Sequence, residues 1–208
     1  MLEGSMDINM LVNSLGHKTE RNDVLRFLES IVVNPDQQLT DTLALLINEP
    51  TSIENTNRFA SLLVELPSIE YISPLTEVIL NATPEDSPWL TDYMYTLGSL
   101  LGESDEEYVP SDDFVHKLGA WLSSTGGGEL SWKAGIILAE VTNPVVHNYL
   151  FQGARDSALF HQTRITCIKG IVNNFRDEAE MLLSELTEDP EKYVREAAYE
   201  ALEWLKEA

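Results

Sequence analysis

The sequence predicts an all-α fold, an α-solenoid of about five to six stacked antiparallel helical hairpins. Three observations lead there. The chain reads as amphipathic helices broken every 10 to 18 residues by turn signals, the apolar residues between the breaks follow helical spacing, and a pattern in the last three hairpins returns after 31 residues.

The turn signals are Asn34-Pro35-Asp36, Glu49-Pro50-Thr51-Ser52, Leu66-Pro67-Ser68, Thr83-Pro84-Glu85-Asp86-Ser87-Pro88, Asn143-Pro144 and Asp189-Pro190. Proline cannot continue a helix but suits the first turn of the next, and Ser, Thr, Asp and Asn cap it. Between the turns, Leu39, Leu43, Leu46 and Ile47 stand at i, i+4, i+7 and i+8, and Leu118, Trp121 and Leu122 keep a helical phase. Runs of Val, Ile and Thr between hairpin turns are missing, which argues against a sheet. The expected helices are 6–16, 22–33, 36–48, 52–66, 68–82, 87–101, 111–124, 129–142, 144–153, 157–174, 176–187 and 190–207. Met1-Leu2-Glu3-Gly4-Ser5 reads as a cloning remnant ahead of Met6.

The second helices of the last three hairpins align without gaps. Lys133, Arg164 and Arg195 fall in one column, Gly135, Thr166 and Ala197 in a second, Ala139, Gly170 and Ala201 in a third. Small residues at fixed places let neighbouring helices approach closely, and Gly98 and Ala60 continue the last column upstream.

The segment Asp189-Pro190-Glu191-Lys192-Tyr193-Val194-Arg195-Glu196-Ala197-Ala198-Tyr199-Glu200-Ala201-Leu202 resembles the HEAT-like repeat family, in which an Asp-Pro turn leads into Val-Arg, two small residues and Ala-Leu. The likeness is densest over 176–207, continues over 129–174 and thins before that. Arg58 matches the family arginine, whereas Asp92 stands where that residue would fall in 87–101. The resemblance implies one HEAT-like α-solenoid domain over residues 6–208, with a scaffold or recognition role.

Composition bounds the partner. Thirteen Lys and Arg stand against 35 Asp and Glu, a formal charge of −22. Such a charge repels phosphate backbones and anionic membrane surfaces, so neither nucleic acid nor membrane is expected as a partner. A lone cysteine, Cys167, excludes an intrachain disulfide and a cysteine-rich zinc site. No basic leader followed by an apolar stretch and no membrane-length apolar run is seen, which fits a cytoplasmic protein.

Charge is also segregated. From Phe27 to His116 the only base is Arg58, against 17 acids, a net of −16. This is either a solvated surface kept for solubility or a docking face for a basic partner protein. The densest stretch is a loop between hairpins, Glu103-Ser104-Asp105-Glu106-Glu107-Tyr108-Val109-Pro110-Ser111-Asp112-Asp113. Glu103, Asp105, Glu106, Glu107, Asp112 and Asp113 are therefore candidate partner-binding residues, with Ser111, Asp112 and Asp113 also placed to cap the next helix. Farther along, Glu178, Glu180 and Glu185 are expected to be balanced by bases such as Arg176 and Lys192. Trp132, beside Lys133, is either core or a partner anchor, while Trp121 and Trp204 follow the core stripes of their helices.

Nothing points to catalysis. The acidic loop lacks the alternate ligands, glycine turn and distal glutamate of a calcium loop. Ser123-Ser124-Thr125-Gly126-Gly127-Gly128 lacks the Lys-Ser/Thr of a phosphate loop and reads as a flexible connector. His17, His116, His147 and His161 show no metal spacing, and Cys167, between Thr166 and Ile168, reads as a buried thiol. Neither a catalytic residue, a metal nor a cofactor is expected. Two roles fit: an immunity protein whose acidic surface covers a basic bacterial toxin such as a nuclease, by analogy of size and charge, or a general scaffold or assembly factor. An enzyme on a HEAT-like frame, such as a DNA glycosylase, would need a basic groove and fits worst.

Overall fold

A computed structural model of the chain describes residues 37–53, 55–86, 89–104, 107–124 and 128–207. The expected helices 6–16 and 22–33, the remnant at 1–5, His17, Asp105, Glu106 and the connector residues 125–127 lie outside the described residues. Among the described residues the chain is all-helical, with ten α-helices, three short 3-10 turns and no strand. The helices are α1 (Gln37–Ile47), α2 (Thr56–Glu65), α3 (Ile72–Asn81), α4 (Trp89–Glu103), α5 (Asp112–Leu122), α6 (Gly128–Glu140), α7 (Val146–Arg155), α8 (His161–Asn174), α9 (Arg176–Leu186) and α10 (Lys192–Glu207). The 3-10 turns are Pro50–Ser52, Ile69–Tyr71 and Pro84–Asp86.

Two expected helices are shortened at their starts by such turns, because proline or a capping serine tightens the entry. Ser68 accepts from the Glu70 amide and hands over to Ile69–Tyr71 before α3 begins. The helix expected from 157 begins instead at His161: Asp156 accepts from the Ala158 amide in an Asx turn, which holds the chain out of the helix until Phe160.

The chain divides into two compact units, residues 1–100 and 101–208. In the first, Leu43, Ile47, Phe59, Leu62, Leu63, Tyr71, Leu75, Ile79, Leu90, Tyr93 and Leu97 are buried. Helix α1 packs on α3 and on the Ile69–Tyr71 turn. Helices α2 and α4 are joined by polar bonds: Thr96 Oγ1 donates to the Ala60 carbonyl at 3.3 Å, and Thr56 Oγ1 and Asn57 Nδ2 donate to Asp92 at 3.2 and 3.3 Å. Asp92 is thus a hydrogen-bond acceptor between α2 and α4. The Phe59 and Tyr93 rings complete the joint with centroids 6.2 Å apart.

In the second unit α5 packs on α6, α7 on α8 and α9 on α10, while α6, α8 and α10 pack in sequence and α5 touches α7. The small columns lie where these helices meet. A Cβ added to Gly170 would fall 2.8 Å from the Ala139 Cα, and one on Gly135 would meet Thr166 at 3.6 Å. Glycine at 170 is therefore required by the approach of α6 and α8. Side chains join residues 29 to 35 apart: Arg155 with Glu185, His147 with Glu178, Lys169 with Glu140, Asn143 with Asp112, and Asn174 with the Ala139 carbonyl.

The basic column has three fates. Lys133 is buried with its ammonium 4.1 Å from the centre of the Trp132 ring. Arg164, 2% exposed, donates Nε to the Ala154 carbonyl at 2.9 Å and both terminal nitrogens to Asp189. Arg195 donates to the Asp189 and Pro190 carbonyls at 2.6 and 3.0 Å, so two arginines brace the Asp-Pro turn, one at a side chain and one at its carbonyls.

Candidate functional site

The acidic segment is only partly free. Glu103 closes α4 and is exposed, and Glu107 is exposed in the irregular stretch that follows. That stretch is pinned to the chain after α6. The Tyr108 carbonyl accepts from the Thr142 amide at 3.4 Å, and buried Asn143 donates to the Pro110 carbonyl at 3.2 Å and to Asp112 Oδ1 at 3.0 Å. Ser111 caps α5 by accepting from the Phe114 amide at 3.3 Å, which puts Asp112 and Asp113 in the first turn at the positive end of the helix dipole. Asp112 is thus a structural acid as well as a surface one. Glu103, Glu107 and Asp113 present carboxylates to solvent, with Val109, 63% exposed, among them.

Trp132 is half-buried on the first turns of α6. It lines an open cleft of about 730 Å³ with Gly128, Glu129, Leu159, Phe160 and Gln162. Phe160 is 51% exposed at the N-cap of α8, where it makes no capping bond. The acidic loop is held at the far end of α6, by Thr142 and Asn143. At ~1.5 Å per residue the two ends are ~15 Å apart along the helix. The structure therefore does not gather the loop acids and Trp132 into one patch.

The titratable groups are structural. Burial pushes the Cys167 thiol up to about 12, so the protonated form prevails and nucleophilic attack is disfavoured. Hydrogen bonds from Arg164, more than any other influence, hold the Asp189 carboxyl below the usual carboxylate range. Burial raises the Tyr93 phenol, whose hydroxyl has no hydrogen-bond partner among the described residues. His116 bonds the Tyr149 hydroxyl at 2.9 Å, His147 bonds Glu178 at 3.0 Å and stacks on Phe151, and His161 stacks on Tyr193. Among the described residues no three His, Cys, Asp or Glu side chains converge as a metal site would require. No helix among them is long and apolar enough to cross a membrane.

One core expectation is corrected. Trp121 is buried, but Trp204 is 47% exposed. It lies near the end of α10, where Arg176 covers one face at 4.9 Å. Tyr193 and Tyr199 on the same helix are 53% and 54% exposed. Helical periodicity alone did not separate these aromatics from core residues. The signal was their company, since Glu196, Glu200, Glu203 and Glu207 share their face.

No protein-family profile matches the chain, and no curated protein does. Among solved structures it is similar to two crystal structures of engineered proteins from the Northeast Structural Genomics Consortium. One has a TM-score of 0.51 at 16% identity, covering 98% of this chain and 100% of the other. The second has a TM-score of 0.50 at 19% identity, with 97% of each chain covered. At such identity the likeness is one of fold.

Proposed function

We propose that this chain is a non-catalytic protein-binding module of HEAT-like hairpins stacked as an α-solenoid, which docks a basic partner protein through its acidic surface. The supporting observation is where the bases go. Residues 101–208 hold nine Lys and Arg against 20 acids. Eight of the nine are engaged on their own chain: Arg155, Arg164, Lys169 and Lys192 in ion pairs, Lys117, Lys133 and Arg176 over tryptophan rings, and Arg195 on turn carbonyls. What remains for a partner is carboxylate, including Glu103, Glu107 and Asp113 at the acidic loop and Glu200, Glu203 and Glu207 on α10. A surface of that sign accelerates encounter with a basic protein and rejects acidic ones.

The specific form we favour is a cytoplasmic immunity protein that neutralises a basic bacterial toxin such as a nuclease, its acids covering the surface that would hold nucleic acid. The test is capture of partners on the full chain at low salt. A basic protein should be recovered, release as salt rises, and lose its toxic activity in the complex. Recovery of acidic partners, or binding indifferent to salt, would sink the reading. A basic partner without toxic activity would point to the scaffold role instead.

A further inference from the structure

We infer that the outer face of α10 is the seat of a basic amphipathic helix supplied by the partner. The inference rests on the basic-partner reading and adds where and how the partner lies. It starts from α8 and α10, which match residue for residue at a spacing of 31. Ile168 and Val172 of α8 are buried at 2% and 8% exposure. Their counterparts on α10 are Tyr199, 54% exposed, and Glu203, also exposed. Half-buried Ile165 becomes exposed Glu196, while Lys169 and Asn173, already exposed on α8, become exposed Glu200 and Trp204. The three positions covered or half-covered on α8, Ile165, Ile168 and Val172, are thus taken on α10 by exposed Glu196, Tyr199 and Glu203.

The arrangement on that face is ordered. With 3.6 residues per turn, Glu196, Glu200, Glu203 and Glu207 fall within an arc of about 60°. Tyr199 borders it on one side, Tyr193 and Trp204 on the other. Glu196 has Lys192 at 3.4 Å, but among the described residues Glu200, Glu203 and Glu207 make no ion pair. A row of carboxylates between exposed aromatics complements a helix with a row of lysines or arginines between apolar residues. Tyrosine and tryptophan supply contact area, and the carboxylates select the sign. A second copy of this chain is the wrong occupant, because its α10 would bring four more glutamates against these four.

The probe is a synthetic amphipathic helix of Leu, Ala and Lys, of about five turns, with a matched peptide carrying Glu in place of Lys. Binding to the full chain is read by titration calorimetry at low and moderate salt. The lysine peptide should bind and the glutamate peptide should not. Changing Glu200→Lys, Glu203→Lys and Glu207→Lys together should weaken binding by about tenfold or more. The triple change Glu103→Lys, Glu107→Lys and Asp113→Lys should cost less than about threefold, and Tyr199→Ser should weaken binding at both salts. If the loop changes abolish binding and the α10 changes do not, the inference falls and the acidic-loop reading stands. Equal losses from both triples would mean unlocalised charge and also overturn it. If the lysine peptide fails to bind the unaltered chain, the inference and the basic-partner reading fall together. Should circular dichroism show the lysine triple unfolded, the glutamine triple at the same positions replaces it, with the same loss expected.

Discussion

Residues 1–100 and 101–208 carry the same formal charge, −11 each, yet the first hundred hold four bases against 15 acids and the remainder nine against 20. The joints between helices follow that difference. In the first unit α2 meets α4 through hydroxyl and amide donors to Asp92 and through the Phe59 and Tyr93 rings. In the second, α7 is tied to α9 by Arg155 and Glu185, α8 to α6 by Lys169 and Glu140, and α8 to the turn before α10 by Arg164 and Asp189. Equal net charge therefore conceals two uses of acid. Between α2 and α4 the acid accepts from neutral donors; in the second unit acids are also halves of ion pairs between helices, beside Asp112, which accepts from the neutral Asn143 amide. Only the surplus beyond those pairs is available to a partner.

The comparison is most easily broken at Arg164. Its side chain is 2% exposed and that of Asp189 8%. Arg164→Ala should therefore leave a buried carboxylate without its cation and cost about 3–5 kcal/mol in denaturant unfolding. Arg164→Met together with Asp189→Leu should recover most of that loss, because an apolar pair of similar volume avoids the uncompensated charge. The same joint has a pH signature. The folded-state pKa of Asp189 lies below its ordinary 3.8. Its contribution is then fully present above that value and is lost as pH falls through the lower folded-state pKa. Midpoints for the parent chain and Asp189→Asn should differ most near neutrality and converge in acid; a constant gap would count against the pair.

Gly170→Ala tests the packing joint in the same unit. The added Cβ would fall 2.8 Å from backbone at Ala139, so α6 and α8 must part, at about 1–3 kcal/mol by thermal or chemical unfolding. Gly128→Ala is the control, since its Cβ would meet nothing within 4 Å. The smallest effect belongs to the first unit. Asp92→Ala removes two part-exposed hydrogen bonds from neutral donors and should cost about 1 kcal/mol. A loss as large as that of Arg164→Ala would erase the distinction between the two units.

Much of the helix pattern was legible because its signals are local. Proline turns and the spacing of Leu43, Ile47, Leu118 and Leu122 act within a few residues, and all four leucine and isoleucine side chains are buried. The basic column was legible as a column but not as chemistry. One periodic position holds a lysine over tryptophan, an arginine in a buried ion pair and an arginine on turn carbonyls, because each partner comes from elsewhere in the chain. The balance expected for the C-terminal acids shows the same limit. Glu178 and Glu185 are paired with His147 and Arg155 of α7, about 30 residues away, rather than with Arg176 and Lys192. Trp204 was misjudged for a related reason: a stripe on a helix shows which residues could be covered, and only the neighbouring helix decides whether they are. At the acidic segment, Asp112 could be read as a cap from sequence, but its bond to Asn143 joins residues 31 apart.

The lone thiol gives the molecule a built-in clock. Cys167 is fully buried in α8, with its sulfur 2.7 Å from where a Cβ on Gly153 would sit, so no reagent can reach it while α7 and α8 stay together. Its rate of alkylation, set against the rate of an unstructured thiol, therefore counts how often that part of the chain opens. Because no other cysteine competes, the count reports on the second unit alone. A partner that clamps the hairpins would slow it, without any label having been introduced.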